Sequence, residues 1–411
     1  MQLSLKVAFW VCSGALIYNL IGYPVVLFCA RVLLQIKSDM RFLWMRRTRR
    51  KASEENYATS VAIIISAYNE ESVIETRINN IFDSDYSPSL MEVLIGLDGS
   101  TDSTAKVLSR FESPYLRVFN FPVRRGKLAV ISELAKVTSA EILVFTDANT
   151  MFTRDCVRNL VRHFNDPAVG VVSGEEIRVT ARGTDPAAEG IYWRYESGLK
   201  ILESTLGLLH SANGGVYAIR RSLFQPQPDL IVEDFQIPLE LRFRGNRIIY
   251  DPEAISVEEI APTFASKFER RVRLAAGNFQ TLLTRLEYLS PVRRLAFAYY
   301  SHRVLRWVGP GLLILGFICN MALISAAFYR ELFIVQSAFY GMALIGLWRE
   351  KGGRSVGFCR VPFHFCSMNL ALIFGLCRFL GGRQTVAWTA TPRTGMSASF
   401  SARPVSERNK F

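Results

Sequence analysis

Val61-Ala62-Ile63-Ile64-Ile65-Ser66-Ala67-Tyr68-Asn69-Glu70-Glu71 is an apolar, largely β-branched run that breaks into a polar and acidic loop. Such a run reads as a strand buried on both faces, and the polar stretch after it opens a helix. The pattern recurs. Met91–Leu97 leads into Asp98-Gly99-Ser100-Thr101-Asp102, and Ile142–Phe145 leads into Thr146-Asp147-Ala148-Asn149-Thr150. A fourth acidic cluster stands at Ile231-Val232-Glu233-Asp234. Strands alternating with helix-period stretches predict an α/β domain on a mostly parallel sheet over residues 59–285. Open sheets of this kind bind ligands at the ends of their strands, where these clusters fall.

Outside that domain the composition changes. The chain has 411 residues, 50% of them hydrophobic and only 21% charged, which excludes a disordered chain or a coiled coil. Its mean hydropathy is positive, which points to membrane segments. Val7–Leu34 is apolar apart from Tyr18, Asn19 and Arg31, longer than the roughly 20 residues a bilayer requires. Arg41, Arg46, Arg47, Arg49, Arg50 and Lys51 follow it, so the positive-inside rule puts its C-terminal end in the cytoplasm. Two further spans are expected at Trp307–Ala327 and Leu332–Trp348, joined by a loop at 328–331. A weaker third at Val361–Cys377, which carries His364, Ser367 and Asn369, either crosses and leaves the basic tail outside, against the charge rule, or is re-entrant or interfacial.

The expected organisation is an anchor (1–35), a basic cytoplasmic linker (36–58), the α/β domain (59–285), an interfacial helix (286–306), a membrane region (307–380) and a basic, disordered tail (381–411). The formal charge is +13. Its surplus sits largely beside the apolar segments, which favours lipid headgroups as partners over nucleic acid. Seven cysteines without C-x-x-C spacing read as reduced and structural.

Taken in order, Ser66–Glu71, Asp98–Asp102, Arg125-Gly126-Lys127, Thr146–Thr150 and Val232-Glu233-Asp234 resemble family 2 glycosyltransferases. The likeness is to the membrane-embedded branch that includes cellulose, hyaluronan and poly-N-acetylglucosamine synthases. It implies a GT-A fold and inverting sugar transfer from a nucleotide-sugar donor, UDP-linked, to a polysaccharide or lipid-linked acceptor at the inner (plasma) membrane. Export or polymerisation partners would accompany that role. By the same resemblance Ala67, Tyr68, Glu70 and Asp98 would hold the nucleotide, and Lys127 the diphosphate. Asp147 and Asn149 would bind Mg²⁺ or Mn²⁺, hard cations that prefer oxygen donors. Asp234 would be the general base, with Glu233 orienting the acceptor or the loop.

Departures from the family pattern are visible. Asn149 replaces a frequent Asp, and an Asp restored there is expected to be tolerated and to tighten metal binding. Arg270-Arg271-Val272-Arg273-Leu274 keeps the Arg of a Gln-x-x-Arg-Trp motif at Arg273, offers Arg270 to a diphosphate, and lacks the Trp. Gly214-Gly215 resembles a glycine-bearing acceptor loop. Trp193 and Glu196 are candidates for an acceptor groove, although an aromatic helical stripe is more often core. Two rival readings are a polyprenyl-phosphate monoglycosyltransferase and a non-catalytic nucleotide-binding membrane scaffold.

Overall fold

The computed structural model describes residues 2–45, 57–180, 183–184, 187–226, 230–259, 263–290 and 294–382. The basic run at 46–51 and the tail beyond residue 382 lie outside the described residues. Two compact units are present. One comprises Met40–Asp185 and Glu203–Pro262; the other comprises Met1–Asp39, Pro186–Leu202 and, as far as residue 382, the chain from Thr263. The expected contiguous 59–285 domain is therefore interrupted. Residues 186–202 and 263–382 group with the apolar helices.

In the first unit the described strands are β1 (Val61–Ala67), β2 (Met91–Asp98), β3 (Leu116–Phe121), β4 (Ile142–Asp147), β5 (Thr150–Phe152), β6 (Val169–Thr180), β7 (Gly183–Thr184), β8 (Tyr217–Arg220) and β9 (Arg247–Glu259). They form one sheet in the order β3-β2-β1-β4-β8-β6-β9-β5, with β7 on β6. The parallel expectation holds for β1 to β4. Beyond β4 the sheet is mixed, because β8 runs antiparallel to both β4 and β6.

β1 is apolar throughout because both its faces are covered. Val61, Ile63 and Ile65 pack with Ile74 and Ile78 of the Ile74–Phe82 helix on one side. Ala62 and Ile64 pack with Leu128, Ile131 and Leu134 of the Lys127–Lys136 helix on the other. Each such side chain contributes about 1.5–3 kcal/mol by leaving water. The register brings Ser66 opposite Asp147 and Ala67 opposite Leu97, so the C-terminal ends of β1, β2 and β4 share one edge. The chain steps from β1 outward to β2 and β3, then returns to place β4 on the other flank of β1. That reversal opens a crevice between the ends of β1 and β4.

Among the described residues four helices are long and apolar enough to cross a membrane: Gln2–Met40, Leu295–Ala322, Ala327–Lys351 and Gly357–Leu380. The weak third C-terminal segment thus stands with the others by length and composition. Two details differ from expectation. The C-terminal hairpin turns before residue 327, because Tyr329 is buried against Phe9 with ring centroids 5.4 Å apart. The expected interfacial helix at 286–306 is, from Arg294 on, the continuous start of the Leu305–Ala322 helix, with a π-helical turn at Tyr299–Val304.

Its polar residues turn inward rather than toward an interface. Asn19 Nδ2, in a second π-helical turn at Tyr18–Gly22, donates to the Ser301 carbonyl at 2.6 Å, and the Tyr18 and Ser301 hydroxyls lie 2.8 Å apart. π turns displace backbone pairing, and a side-chain amide supplies the partner here. Glu196, on the Ala187–Thr205 helix, accepts from Arg306 Nη1 at 2.5 Å and lies 3.4 Å from His302 Nε2. Burial alone would raise the Glu196 pKa; Arg306 and His302 outweigh it and hold the carboxyl well below its ordinary value. Breaking a buried pair leaves an uncompensated charge. Glu196→Gln should therefore cost about 3–5 kcal/mol, read as a lower melting temperature in detergent. A Glu196→Met/Arg306→Met double variant should be milder than either single change. A double variant that lost the sum of the two single losses would show that the pairing carries no stability.

Candidate active site

Asp98, at the end of β2, is fully buried, and its two carboxylate oxygens accept from the backbone N–H groups of Arg125 at 2.6 Å and Gly126 at 2.9 Å. Gly126 has φ 89°, a left-handed conformation that glycine adopts without the Cβ penalty. It is also the N-cap of the Lys127–Lys136 helix. Asp98 therefore fixes the turn that aims Lys127. Both oxygens thus have backbone partners, a positioning role that stands beside the expected nucleotide contact.

Lys127 Nζ lies 2.8 Å from Asp147 Oδ1 and 2.9 Å from Glu233 Oε1. Burial alone would lower its pKa, but the two carboxylates outweigh burial and hold it well above the ordinary lysine value. The Tyr217 hydroxyl is pushed well up by burial and then by Glu233, so it stays neutral. Beside Asp147, Thr146 accepts from the fully buried Arg77 at 2.9 Å, a guanidinium whose pKa burial pushes down to about 9.

Asp234 and Glu233 occupy the first turn of the Glu233–Phe243 helix, where the helix dipole favours carboxylates. The N-cap is Val232, without a side-chain cap bond, so Asp234 is not the cap. Glu233 is buried and engaged by Lys127, whereas Asp234 is only partly buried. A Cβ at Gly214 would stand 2.7 Å from Asp234 Oδ2. Glycine is needed there so that the loop backbone can approach this carboxylate. The loop is held by Ala212 N–H donating to the Asp234 carbonyl at 3.0 Å and by Asn213 Nδ2 donating to the Gly174 carbonyl at 2.6 Å. Gly215 faces Thr150 and Glu176.

At the end of β1 the Arg124 guanidinium lies over the Tyr68 ring, 3.7 Å from its centroid. Arg124 was absent from the sequence-derived set; its place just before Arg125-Gly126-Lys127 was the available signal. Glu70 is buried and its N–H donates to Thr104 at 2.9 Å. Asn69 Oδ1 accepts from Thr101 N–H at 2.8 Å, and Glu71 Oε2 from Ser103 N–H at 2.8 Å. These bonds stitch the loop after β1, from Ala67 on, to the loop after β2. They make Glu70 part of that clasp.

Asn149 is buried, and its Nδ2 donates to Glu258 at 3.3 Å. Glu258 shares this pocket with Glu176 and Arg178. The amide nitrogen of Asn149 is thus engaged by a second carboxylate, and its oxygen is the atom that would share an ion with Asp147. Among the described residues no three His, Cys, Asp or Glu side chains are grouped so that they could hold a metal ion. Asp147, with its side chain 32% exposed, remains. One carboxylate fits a hard divalent cation that takes its other oxygens from a diphosphate and water.

The remaining expected residues belong to the second unit. Trp193 lies beneath Lys200 Nζ at 5.4 Å from the ring centroid, and Glu196 is committed to Arg306 and His302. That internal pairing corrects Glu196 as an acceptor contact. Arg270 and Arg273 lie on the Phe264–Thr284 helix.

A mixed α/β sheet with this strand-edge constellation is a glycosyltransferase fold of the GT-A type. Over 92% of its length the chain superposes on all of a mannosyltransferase of Pyrobaculum calidifontis, solved with GDP-Man and Mn²⁺, with a TM-score of 0.67 and 21% identity. Residues 62–225 match the family model for Glycosyl transferase family 2. Among curated proteins it is similar to the poly-β-1,6-N-acetyl-D-glucosamine synthases of Staphylococcus epidermidis, 24% identical over 238 residues, and Staphylococcus aureus, 25% identical over 247 residues. Those alignments cover 56% and 58% of this chain and 57% and 59% of the relatives, so the chain spans less than two thirds of their length.

The Asn149–Glu258 contact reverses the expectation for an Asp at 149. Asn149→Asp would set a carboxylate against Glu258 in a buried pocket, costing about 1–3 kcal/mol. Its melting temperature should fall, and adding Glu258→Gln should recover most of the loss. An unchanged melting temperature for Asn149→Asp would refute this account.

Proposed function

We propose that the chain is a membrane-anchored, inverting glycosyltransferase that moves a sugar from a nucleotide-sugar donor to a glycan or lipid-linked acceptor. The convergence of Asp147, Lys127, Glu233 and Asp234 at the crevice between β1 and β4 is the observation that carries this reading. A UDP-linked N-acetylhexosamine is the donor we favour, on the likeness to the staphylococcal synthases.

In this reading the stacked Tyr68 and Arg124 mark the nucleotide end of the crevice, since aromatic and guanidinium faces suit a base. Asp98 acts through the Gly126 turn, as a positioning residue. Asp147 would hold Mg²⁺ or Mn²⁺, which when bound supplies positive charge to the diphosphate. Lys127 supplies a point charge to the same leaving group. Asp234 takes the proton from the acceptor hydroxyl. That oxygen then bonds to the anomeric carbon from the face opposite the diphosphate, the carbon–phosphate-oxygen bond breaks, and the configuration inverts. Glu233, engaged by Lys127, is less available as the base.

With four crossings the α/β residues face the cytoplasm, where nucleotide sugars are made, and the turn before residue 327 faces outward. The basic segment with Arg349, Lys351, Arg354 and Arg360 is then inside, as the charge rule requires.

Two measurements test these proposals. Asp234→Asn keeps the shape but removes the base, and should lower turnover by a factor of about 10²–10⁴ with little change in donor affinity. Normal turnover would move the role to Glu233; loss of donor binding would make Asp234 structural. For topology, a cysteine at exposed Ser325 should react with an impermeant thiol reagent in intact cells, and one at exposed Ser109 should not. Outside labelling of Ser109→Cys would overturn the orientation.

A further inference from the structure

Lys127 does more in this geometry than wait for a diphosphate. Its ammonium is already bound to Asp147 Oδ1, and the other end of the bridge is Glu233. We infer that Lys127 is a built-in stand-in for the divalent cation, holding Asp147 while the site is empty and admitting metal only together with a nucleoside diphosphate. The inference rests on the functional reading above, in which Asp147 is the metal carboxylate.

Charge and distance carry the argument. A free divalent ion on Asp147 would sit about 2 Å from a carboxylate oxygen. The Lys127 ammonium stands 2.8 Å from Oδ1 of the same group, so the two cations would repel at close range. Asn149, two residues on, adds no charge to Asp147, and its amide nitrogen is donated to Glu258. Metal alone is therefore disfavoured. A diphosphate alone is disfavoured too, since it would meet the Asp147 and Glu233 carboxylates with the one Lys127 ammonium between them.

Together the two ligands cancel. The ion neutralises the diphosphate, and the diphosphate oxygens give Lys127 a new partner as it leaves Asp147. The lysine stem is flexible and its three donors can be redistributed, so the ammonium can swing away while keeping Glu233. Glu233 precedes Asp234 in one helical turn, so loading of the donor side would be felt beside the base.

The test measures Mn²⁺ binding to the purified full-length protein in detergent, by electron paramagnetic resonance of the free ion, without turnover. Wild-type protein should bind Mn²⁺ weakly alone and at least about tenfold more tightly with UDP or GDP present. Lys127→Met should raise the affinity for Mn²⁺ alone by about tenfold or more, while Lys127→Arg should behave as wild type. Adding Asp147→Asn to Lys127→Met should abolish the gain.

Tight Mn²⁺ binding by the wild type without nucleotide would overturn the inference, and this needs no variant to fold. An unchanged affinity in folded Lys127→Met would overturn it as well. If Mn²⁺ failed to bind wild-type protein even with UDP or GDP, the assignment of Asp147 as metal carboxylate would itself fall. Donor turnover that persists without metal would separate that outcome from loss of the glycosyltransferase reading.

Discussion

One ammonium group joins carboxylates from distant parts of the chain. Asp147 arrives at the end of β4 and Glu233 at the start of a helix 86 residues later, and Lys127 holds both. Its own position depends on a turn that Asp98 closes by accepting two backbone N–H groups. The site is thus assembled by ionic and backbone hydrogen bonds at the edge of a sheet whose strand β1 is packed by apolar side chains on both faces. Partial burial strengthens these interactions relative to the same groups in water. The glycine at 214 belongs to this assembly, because only a bare backbone comes so close to Asp234.

The acidic motifs divide into chemistry and scaffolding. Asn69, Glu71, Asp102 and Thr104 knit the loops after β1 and β2 into one rim. Asp102 is held below its ordinary pKa; burial opposes this, and the hydrogen bonds from Thr104 and from backbone N–H groups outweigh it. Such residues keep the crevice open and its walls in register, so a polar strand-end motif need not touch substrate at every position.

The second unit shows the same economy with charge. Glu196 could have served a ligand, yet its carboxylate lies against Arg306 and His302, and two π-helical turns exchange an amide–carbonyl bond nearby. Buried charges are tolerated where they are paired. Polar residues that look interfacial along the chain become internal fasteners between helices.

By itself the sequence determined the parallel half of the sheet, the apolar helices and the acidic strand ends. Those features follow from local patterning: β1 is apolar because both faces are covered, and the spans are long because a bilayer is thick. It also carried Asp147, Lys127, Glu233 and Asp234 as a set, through their resemblance to family 2 glycosyltransferases. Only the tertiary structure decided their partners. Asn149 faces Glu258, 109 residues away, and Asp98 serves a backbone turn. Arg124 stacks on Tyr68, and Glu196 pairs with Arg306. The reason is physical: secondary structure follows from short-range periodicity, but a polar side chain's role depends on which charge folding brings within about 3 Å of it, and that neighbour is not written nearby in the chain.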